Sequence, residues 1–282
     1  MSATRDERLG LGFAGQVWDL FRIQLTNWRW SWPQMVLTGM LAPLVSIAAL
    51  GLFARSSGPA ATEYVLTGSV TMAILFETQN RIASNFAFMR GNGAFEYYAA
   101  LPVRREALIL ATLAAFSILS VPAVAVTLLL GSALLDVRLT VSPLAPLCLL
   151  FALLPSAGLG AFIGSRSGTI EQASSLSLAS TLLMMAAGPV AVPPDMLPGV
   201  LVQIGHLNPA VYAADSLRHS LTSPDGVRAL ADAAVLAVFA GAVWGLTGTR
   251  MHWRARYRRR DLATRTDEQP SREQPLRKGP LP

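Results

Sequence analysis

The chain has 282 residues, of which 52% are hydrophobic and only 14% are charged, and its formal net charge is +6. A soluble domain carries about a quarter charged residues, so this composition excludes an ordinary soluble domain and is typical of a polytopic membrane protein. The single cysteine, Cys148, excludes an intrachain disulfide and a cysteine-based metal site. The basic residues flank apolar runs, so we expect them to meet anionic membrane lipids and not nucleic acid.

Residues 13–32 form an amphipathic pattern that precedes the first long apolar run. The apolar positions recur at helical spacing and are Phe13, Val17, Leu20, Phe21, Leu25, Trp28 and Trp32. The polar positions on the other side are Gln16, Asp19, Arg22, Asn27 and Arg29. Because tryptophan and arginine suit the headgroup layer, we predict an interfacial helix within a cytoplasmic N-terminal region, residues 1–32. A plain aromatic anchor is the simpler alternative.

Six apolar runs are long enough to cross the bilayer, for which a helix needs about 20 residues. The predicted spans are residues 33–54, 64–86, 107–131, 143–165, 173–193 and 227–249. They define an all-α transmembrane domain over residues 33–249. The basic, proline-bearing tail, residues 250–282, is predicted to be cytoplasmic and disordered.

The distribution of arginine and lysine predicts the orientation of these spans, because basic residues collect on the cytoplasmic side. With both termini in the cytoplasm, the basic residues on the outer side are Arg55, Arg138, Arg218 and Arg228. All the other basic residues of the chain then lie on the inner side. We therefore predict a multi-pass protein of the bacterial cytoplasmic membrane.

The second apolar run contains four polar residues in close succession: Glu77, Gln79, Asn80 and Arg81. An ionisable residue inside a membrane is costly and marks a functional site by default. Glu77 and Arg81 are four residues apart, so they can pair on one face of a helix. The pair either lines a substrate route or latches an inner gate, or else these residues merely reach the headgroups.

Small residues recur in the later spans. The fifth span carries Ser174, Ser175, Ser177, Ser180 and Thr181, and glycine pairs at four-residue spacing occur at Gly160/Gly164 and Gly241/Gly245. Small residues let helices approach closely. The pattern favours tight packing, with a pore lining as the alternative.

The stretch RGNGAFEYYAALPVRREAL, residues 90–108, predicts a short amphipathic helix between spans two and three. Asn92 suits the N-cap, and Glu96 lies near the positive end of the helix dipole. Pro102 is predicted to end the helix. Its apolar face, Phe95, Tyr98 and Leu101, has no lipid to fill at this depth and predicts a protein partner.

The stretch PPDMLPGVLVQIGHLNPAVYAADSLRHSL, residues 193–221, combines four prolines with apolar residues suited to burial. Non-helical backbone at membrane depth is tolerated where it is buried in protein or lines a wet cavity. The charged and histidine side chains are expected at the wet rim: Asp195, His206, Asp215, Arg218 and His219. An ordinary amphipathic outer loop is the alternative.

Taken in order, these motifs resemble the permease subunit of ABC exporters of the type-2 class, which includes drug and natural-product efflux permeases. The inner pattern is carried by Gly93, Phe95-Glu96, Leu101-Pro102 and Arg105. The outer pattern is carried by Leu197-Pro198, Leu207-Asn208-Pro209 and Arg218. The resemblance covers about residues 13–249.

The resemblance implies that the outer segment is a re-entrant pair of half-helices. It also implies that the inner helix couples to a separate ABC ATP-binding subunit, which would hold ATP and magnesium, and that a second permease copy or a similar permease completes the complex. The coupling residues would be Asn92, Gly93, Phe95, Glu96, Tyr98, Leu101, Pro102 and Arg105. This chain would bind no cofactor of its own, and its substrate would be a drug, natural product or lipid.

The sequence contains no phosphate-binding loop, catalytic triad or metal-ligand cluster, so we do not expect it to be an enzyme. A proton-coupled secondary transporter using Glu77 is the competing interpretation. Six spans are few for that class, and no inverted repeat is visible.

Overall fold

The computed structural model describes residues 12–27, 32–101, 103–223 and 225–250, and within these ranges all regular structure is helical. The predicted all-α class is therefore confirmed. The predictions on the first eleven residues, Trp28, Arg29, Pro102 and the tail beyond Arg250 lie outside the described residues. The helices are α1 (Phe13–Asn27), α2 (Trp32–Ser57), α3 (Pro59–Ile74), α4 (Arg81–Gly91), α5 (Ala94–Ala100), α6 (Arg105–Leu135), α7 (Ala145–Arg166), α8 (Ile170–Ala186), α9 (Gly199–Gly205), α10 (Pro209–Leu221) and α11 (Gly226–Arg250).

Four of these helices are long and apolar enough to cross a membrane by length and composition. They are α2, α6, α7 and α11, and they coincide with the first, third, fourth and sixth predicted spans. At the second predicted span, α3 and α4 are joined by a π-helical segment, Leu75–Asn80, and the three pieces follow one another with helical backbone throughout. The six-span count stays a prediction.

The fifth predicted span is shorter than expected, because α8 ends at Ala186 and not at residue 193. Gly188 has a φ angle of 151°, a conformation that glycine adopts without strain. Pro189 follows it and cannot continue a helix. The chain then runs in non-helical conformation and is buried at Val190, where a β-carbon on Gly68 of α3 would come within 2.7 Å of the Val190 carbonyl oxygen.

Helix α7 lies at the centre of the bundle and packs on α4, α10, α11 and the π segment. Its Gly160 and Gly164 face the second helical run, and a β-carbon at either position would overlap a backbone carbonyl, that of Gln79 or Ala83. The predicted close packing therefore exists at this pair. It is absent at Gly241 and Gly245, where an added β-carbon meets no heavy atom within 4 Å in the part of the chain that the structure describes.

Helix α1 packs along α6 with part of its predicted apolar face, Val17, Leu20 and Phe21, together with two buried glutamines that the pattern did not predict. Its buried residues are Gln16, Leu20 and Gln24. The Gln16 Oε1 accepts from the Arg104 N–H at 3.0 Å, and the Gln24 Nε2 donates to the Thr112 Oγ1 at 3.3 Å. Gln16 was assigned to the polar side of the helix, and this was wrong. The residue is buried, because its side-chain oxygen accepts a hydrogen bond from the backbone of Arg104. The large apolar side chains exposed on α1 are Phe13, Trp18 and Ile23.

We expect Gly160→Ala to destabilise the protein and the matched Gly241→Ala not to do so. Overpacking against a backbone atom costs about 1–3 kcal/mol, whereas alanine in an unobstructed helix position gains up to about 1 kcal/mol over glycine. Thermal unfolding of the two purified variants measures the difference. Equal melting temperatures would contradict the close approach of α7 to the π segment.

Candidate functional site

The last four residues of the π segment and the residue after it form what we call the polar node: Glu77, Thr78, Gln79, Asn80 and Arg81. Successive side chains leave a helix about 100° apart, so a run of polar residues points around most of the circumference. In this bundle their side chains find hydrogen-bond partners on α2, α6 and α8. The segment contacts α2, α6, α7 and α8, so the polar node joins four neighbouring helices.

Glu77 and Arg81 form a two-point ion pair, as their spacing predicted. The Arg81 Nε lies 2.6 Å from one Glu77 carboxylate oxygen, and its NH2 lies 2.9 Å from the other. The same NH2 donates to the Thr38 Oγ1 of α2 at 3.3 Å. Gly39 lies directly against Glu77, since a β-carbon there would overlap the carboxylate. The glycine therefore allows α2 to approach the pair.

The other polar side chains of the node point to α6 and α8. Thr78 donates to the Ser120 Oγ at 3.0 Å. Gln79 Nε2 donates to the Ser177 carbonyl oxygen at 3.1 Å and also to the Ser180 hydroxyl. The Gln79 Oε1 is buried with no hydrogen-bond partner among the described residues.

Asn80 extends the contact between the node and α8, and Ser84 follows it one turn later. The Asn80 Oδ1 accepts from the Ser174 Oγ at 3.2 Å, and the Ser84 and Ser174 hydroxyls are also 3.2 Å apart. The serines of α8 therefore pair with the node, beyond the small-residue packing that the sequence favoured.

The Glu77–Arg81 ion pair lies far from both ends of its helical run and is mostly buried. Glu77 lies about 27 Å from Pro59 and about 21 Å from Gly91 along the helical run, at 1.5 Å per residue. Its side chain is 4% exposed, and that of Arg81 is 19% exposed. The arginine is thus the more accessible member of the pair.

The second candidate site is α5, at the end of the bundle where the second helical run turns into α6. Asn92 was predicted to be its N-cap, and this was wrong: Asn92 is the C-cap of α4, and Gly93 is the N-cap of α5. Gly93 has a φ of 72°, and this left-handed conformation favours glycine. The helix ends at Ala100, and Leu101 is extended, as expected of a residue before proline.

The face of α5 that meets solvent differs from the predicted one. Phe95 packs on the buried ring of Phe86 with centroids 5.9 Å apart, and Tyr98 packs into a cluster with Leu20 of α1. Phe95 and Tyr98, which the sequence assigned to a face for a protein partner, are therefore packed within this chain. Tyr97 is 65% exposed and Leu101 is 38% exposed, so these two residues form the accessible apolar surface.

The remaining inner residues are only partly described. Glu96 and Arg105 lie within α5 and at the start of α6, but their side chains, like Pro102 as a whole, lie outside the described residues. Arg90, at the end of α4, donates to the Ser165 carbonyl oxygen at 2.7 Å. It therefore ties this end of α4 to the end of α7.

At the opposite end of the bundle, Asn208 joins α8 to α10. Its Nδ2 donates to the carbonyl oxygens of Met184 and Ala187, at 2.5 and 3.1 Å. Its Oδ1 accepts from the Ala210 N–H at 3.0 Å and so caps α10, whose first residue is Pro209. The Asn208 side chain thereby provides hydrogen-bond partners for backbone groups at the C-terminal end of α8 and at the N-terminal end of α10.

Arg218 was predicted at a wet rim, and this was wrong, because it is only 6% exposed. Its guanidinium carbon lies 3.4 Å from the centroid of the Tyr64 ring, a cation–π contact. Its NH2 donates to the Thr67 Oγ1 at 3.1 Å, and its NH1 pairs with Asp215. The Tyr64 ring, the Thr67 hydroxyl and the Asp215 carboxylate take the place of water around the guanidinium. The contacts with Tyr64 and Thr67 hold α10 against α3.

The other residues predicted in the outer segment differ in their burial. Leu197 is half-buried, and Pro198 is the exposed N-cap of α9. Asp195 and His206 are exposed, as predicted. His219 Nδ1 lies 3.0 Å from the Asp232 Oδ2 of α11, so α10 is attached on two sides, to α3 and to α11.

The sequence identified Glu77, Asn80 and Arg81 as candidates. It did not identify several other residues that contribute to the polar node, to the surface of α5 or to the Arg218 contact. They are Thr38, Gly39, Tyr64, Thr78, Tyr97 and Ser120. Nothing in a single sequence pairs Thr78 with Ser120, which are 42 positions apart. The described residues contain no group of three or more histidine, cysteine, aspartate or glutamate side chains placed to bind a metal ion.

A comparison with known protein families identifies what this chain is similar to. The family model described as ABC-2 type transporter matches residues 15–222. The matched range begins inside α1, includes the polar node and α5, and ends just after α10. A comparison with curated proteins finds no match.

We expect Arg81→Gln to destabilise the protein by about 3–5 kcal/mol, because it leaves the Glu77 carboxylate buried without its cation. Adding Glu77→Gln should restore most of the loss, since the pair is then neutral. Thermal unfolding of the single and double variants measures the coupling.

The matched control for this cycle is Arg228→Gln, at the exposed Asp225–Arg228 pair, whose side chains are 44% and 74% exposed. An exposed pair contributes about 0–1 kcal/mol, so this variant should melt close to the wild type. If Arg81→Gln were as stable as Arg228→Gln, the ion pair would not hold the bundle.

Proposed function

This chain belongs to the ABC-2 type transporter family, and from that premise we propose that it is the permease subunit of an ATP-driven exporter. Its cargo would be a hydrophobic or amphipathic molecule, moved outward across the cytoplasmic membrane. The observation that carries the proposal is the polar node, an ion pair ringed by hydroxyl and amide groups inside a bundle of apolar helices. Buried ionisable groups of this kind mark substrate routes in membrane proteins.

The surface beside the node suits an amphipathic cargo. Half-exposed residues recur at four-residue intervals along the second helical run, at Met72, Phe76, Asn80 and Ser84. The first two are apolar and the last two are polar, and Arg81 is accessible next to them. A molecule with an apolar body and a polar or charged head would meet matching groups along this line. Drugs, natural products and lipids share that chemistry.

ATP hydrolysis would take place in a separate ABC ATP-binding subunit, because this sequence carries no phosphate-binding loop. The exposed side chains of Tyr97 and Leu101 on α5 offer that subunit an apolar contact. Helix α5 is linked to α4 through Gly93 and lies shortly before α6. A displacement of α5 would therefore act on both helices, and through α4 on the polar node.

A second permease copy, or a similar permease, would complete the transporter. Helices α2 and α8 both touch the node, through Thr38 and Ser174. Their outward faces carry exposed apolar side chains, which are Leu37, Leu41, Val45, Leu52 and Phe53 on α2 and Leu176, Leu178, Leu182 and Leu183 on α8. A partner seated on these faces would bring two nodes towards each other.

In this arrangement six helical runs span the membrane, both termini are cytoplasmic, and α9 and α10 are re-entrant from the outside.

The geometry gives less support to a proton-coupled transporter that uses Glu77. The carboxylate accepts two hydrogen bonds from Arg81, and protonating it would leave the Arg81 guanidinium without its anion. A carboxylate that carries protons must instead be neutralised in each cycle.

The coupling proposal predicts different results for two neighbouring tyrosines. Tyr97→Ala should leave thermal stability unchanged and weaken binding of the ATPase subunit by about thirty-fold, the equivalent of about 2 kcal/mol for an aromatic anchor. Tyr98→Ala should instead lower the melting temperature, because Tyr98 packs against α1 and α6. Co-purification with the ATPase and thermal unfolding separate the two effects. Normal ATPase binding by Tyr97→Ala would refute the docking surface.

The proposed orientation is testable in a Cys148→Ser background, which removes the single cysteine. Cysteines introduced at Ser57 and Ser223 should react with an impermeant maleimide added to intact cells. A cysteine at Ser271 should react only after permeabilisation. Labelling of Ser271→Cys in intact cells would contradict cytoplasmic termini.

A further inference from the structure

The turn between α7 and α8 is short and is ordered by its own hydrogen bonds. Helix α7 ends at Arg166, and α8 begins at Ile170. The Thr169 Oγ1 accepts from the Gln172 N–H at 3.2 Å, and the Gln172 Oε1 accepts from the Gly168 N–H at 2.8 Å. Reciprocal capping of this kind satisfies backbone donors at the start of a helix. The α7–α8 turn, residues 167–169, is therefore a stiff connection between the two helices.

Arg90, in the last turn of α4, is bound to this turn and to the end of α7. Its NH1 donates to the Ser165 carbonyl oxygen at 2.7 Å and lies 3.5 Å from the Ser167 carbonyl oxygen. The last carbonyl groups of a helix have no partner within the helix. An arginine side chain satisfies them and complements the negative end of the helix dipole. Arg90 provides this cap from a different helix, so it joins the end of α4 to the α7–α8 turn.

Closer to the polar node, α4 and α8 pack directly against each other. Ala83 and Ala87 of α4 form a buried cluster with Ala173 of α8, and small residues of this kind let helices approach closely. The Ser84 and Ser174 hydroxyls are 3.2 Å apart. Alanine and serine side chains are short, so these contacts hold the two helices close but offer little resistance to sliding of one along the other. The long side chain at the end of α4 is therefore the stronger mechanical link to the start of α8.

We propose that Arg90 is a positioning residue that makes the start of α8 move together with α4 when α5 is displaced. The inference rests on the proposed function, in which a partner ATPase displaces α5. Helix α5 is linked to α4 through Gly93, and Arg90 lies just before that link. A displacement at the link therefore reaches the α7–α8 turn through the guanidinium. Because Ser177 and Ser180 of α8 accept hydrogen bonds from Gln79, a movement of α8 changes the polar node from a second side.

Distances between pairs of spin labels test the proposal in the full-length chain, assembled with its ATPase in vesicles. The background is Cys148→Ser, and labelled chain is diluted with unlabelled chain so that each complex holds a single labelled copy. Cysteines at Phe88 of α4 and at Leu178 of α8, each paired with a cysteine at Val238 of α11, report on the two helices separately, and all three positions are exposed. On trapping with ATP and vanadate, both distances should change. Arg90→Ala should reduce the change at Leu178 several-fold and leave the change at Phe88 intact.

Arg90→Lys should restore most of the change at Leu178, because the ammonium group keeps the positive charge and can donate to the same carbonyl groups. The matched control is Arg166→Ala, because the Arg166 guanidinium lies over the Phe162 ring of its own helix. This control should behave as the wild type does. Arg90 is exposed, so its variants should fold, and the retained change at Phe88 excludes a folding defect as the cause.

A full change at Leu178 in Arg90→Ala would overturn the proposal, and so would a wild-type complex in which only the Phe88 distance changes. Both results would leave the proposed function intact. Loss of both changes in Arg90→Ala would also overturn the proposal, because Arg90 would then act on α4 itself and not on the link to α8. A wild-type complex in which neither distance responds to the trapped nucleotide would contradict the proposed function as well.

Discussion

The carboxylate of Glu77 lies inside a bundle of apolar helices, where an ionised group is stable only with a cation and hydrogen-bond donors around it. Arg81 supplies the cation from the next turn of the same helix. The three polar residues between them then face other directions and require partners on α6 and α8, and Arg81 itself also reaches α2. This requirement brings Thr38, Ser120, Ser174 and Ser177 to the π segment. Three glycines, Gly39, Gly160 and Gly164, remove the side chains that would block these approaches.

The two ends of the bundle are attached to this centre through the same helical run. At one end, α4 leads through Gly93 into α5, and Arg90 fixes the end of α4 to α7. At the other end, Tyr64 and Thr67 of α3 hold the buried Arg218 of α10. A displacement of α5 can therefore act on α4 and the node, and through the contacts of α3 with Arg218 on α10. These contacts are the physical basis for the proposed coupling of α5 to the polar node.

Sequence patterns predicted those features that depend on local periodicity and on backbone chemistry. The helical class, most helix positions and the Glu77–Arg81 pair follow from such signals. The sequence did not predict which face of a helix meets protein and which meets lipid, because both environments select apolar residues. Phe95 and Tyr98 therefore looked like a docking face although they are packed, and Tyr97 was overlooked. Gln16 and Arg218 looked like surface residues although they are buried, because their partners on α6 and α3 are distant in sequence.

The central claim is that the accessible side of the polar node lines a route whose exposure changes with the nucleotide state of a partner ATPase. It is tested most directly with Ser84→Cys in a Cys148→Ser chain, assembled with the ATPase. The rate of maleimide labelling would be measured without nucleotide and after trapping with ATP and vanadate. Ser120→Cys, a fully buried position at the node, is the matched control. The account predicts a several-fold change in labelling at position 84 and slow, unchanged labelling at position 120. Equal labelling of position 84 in both states would contradict it.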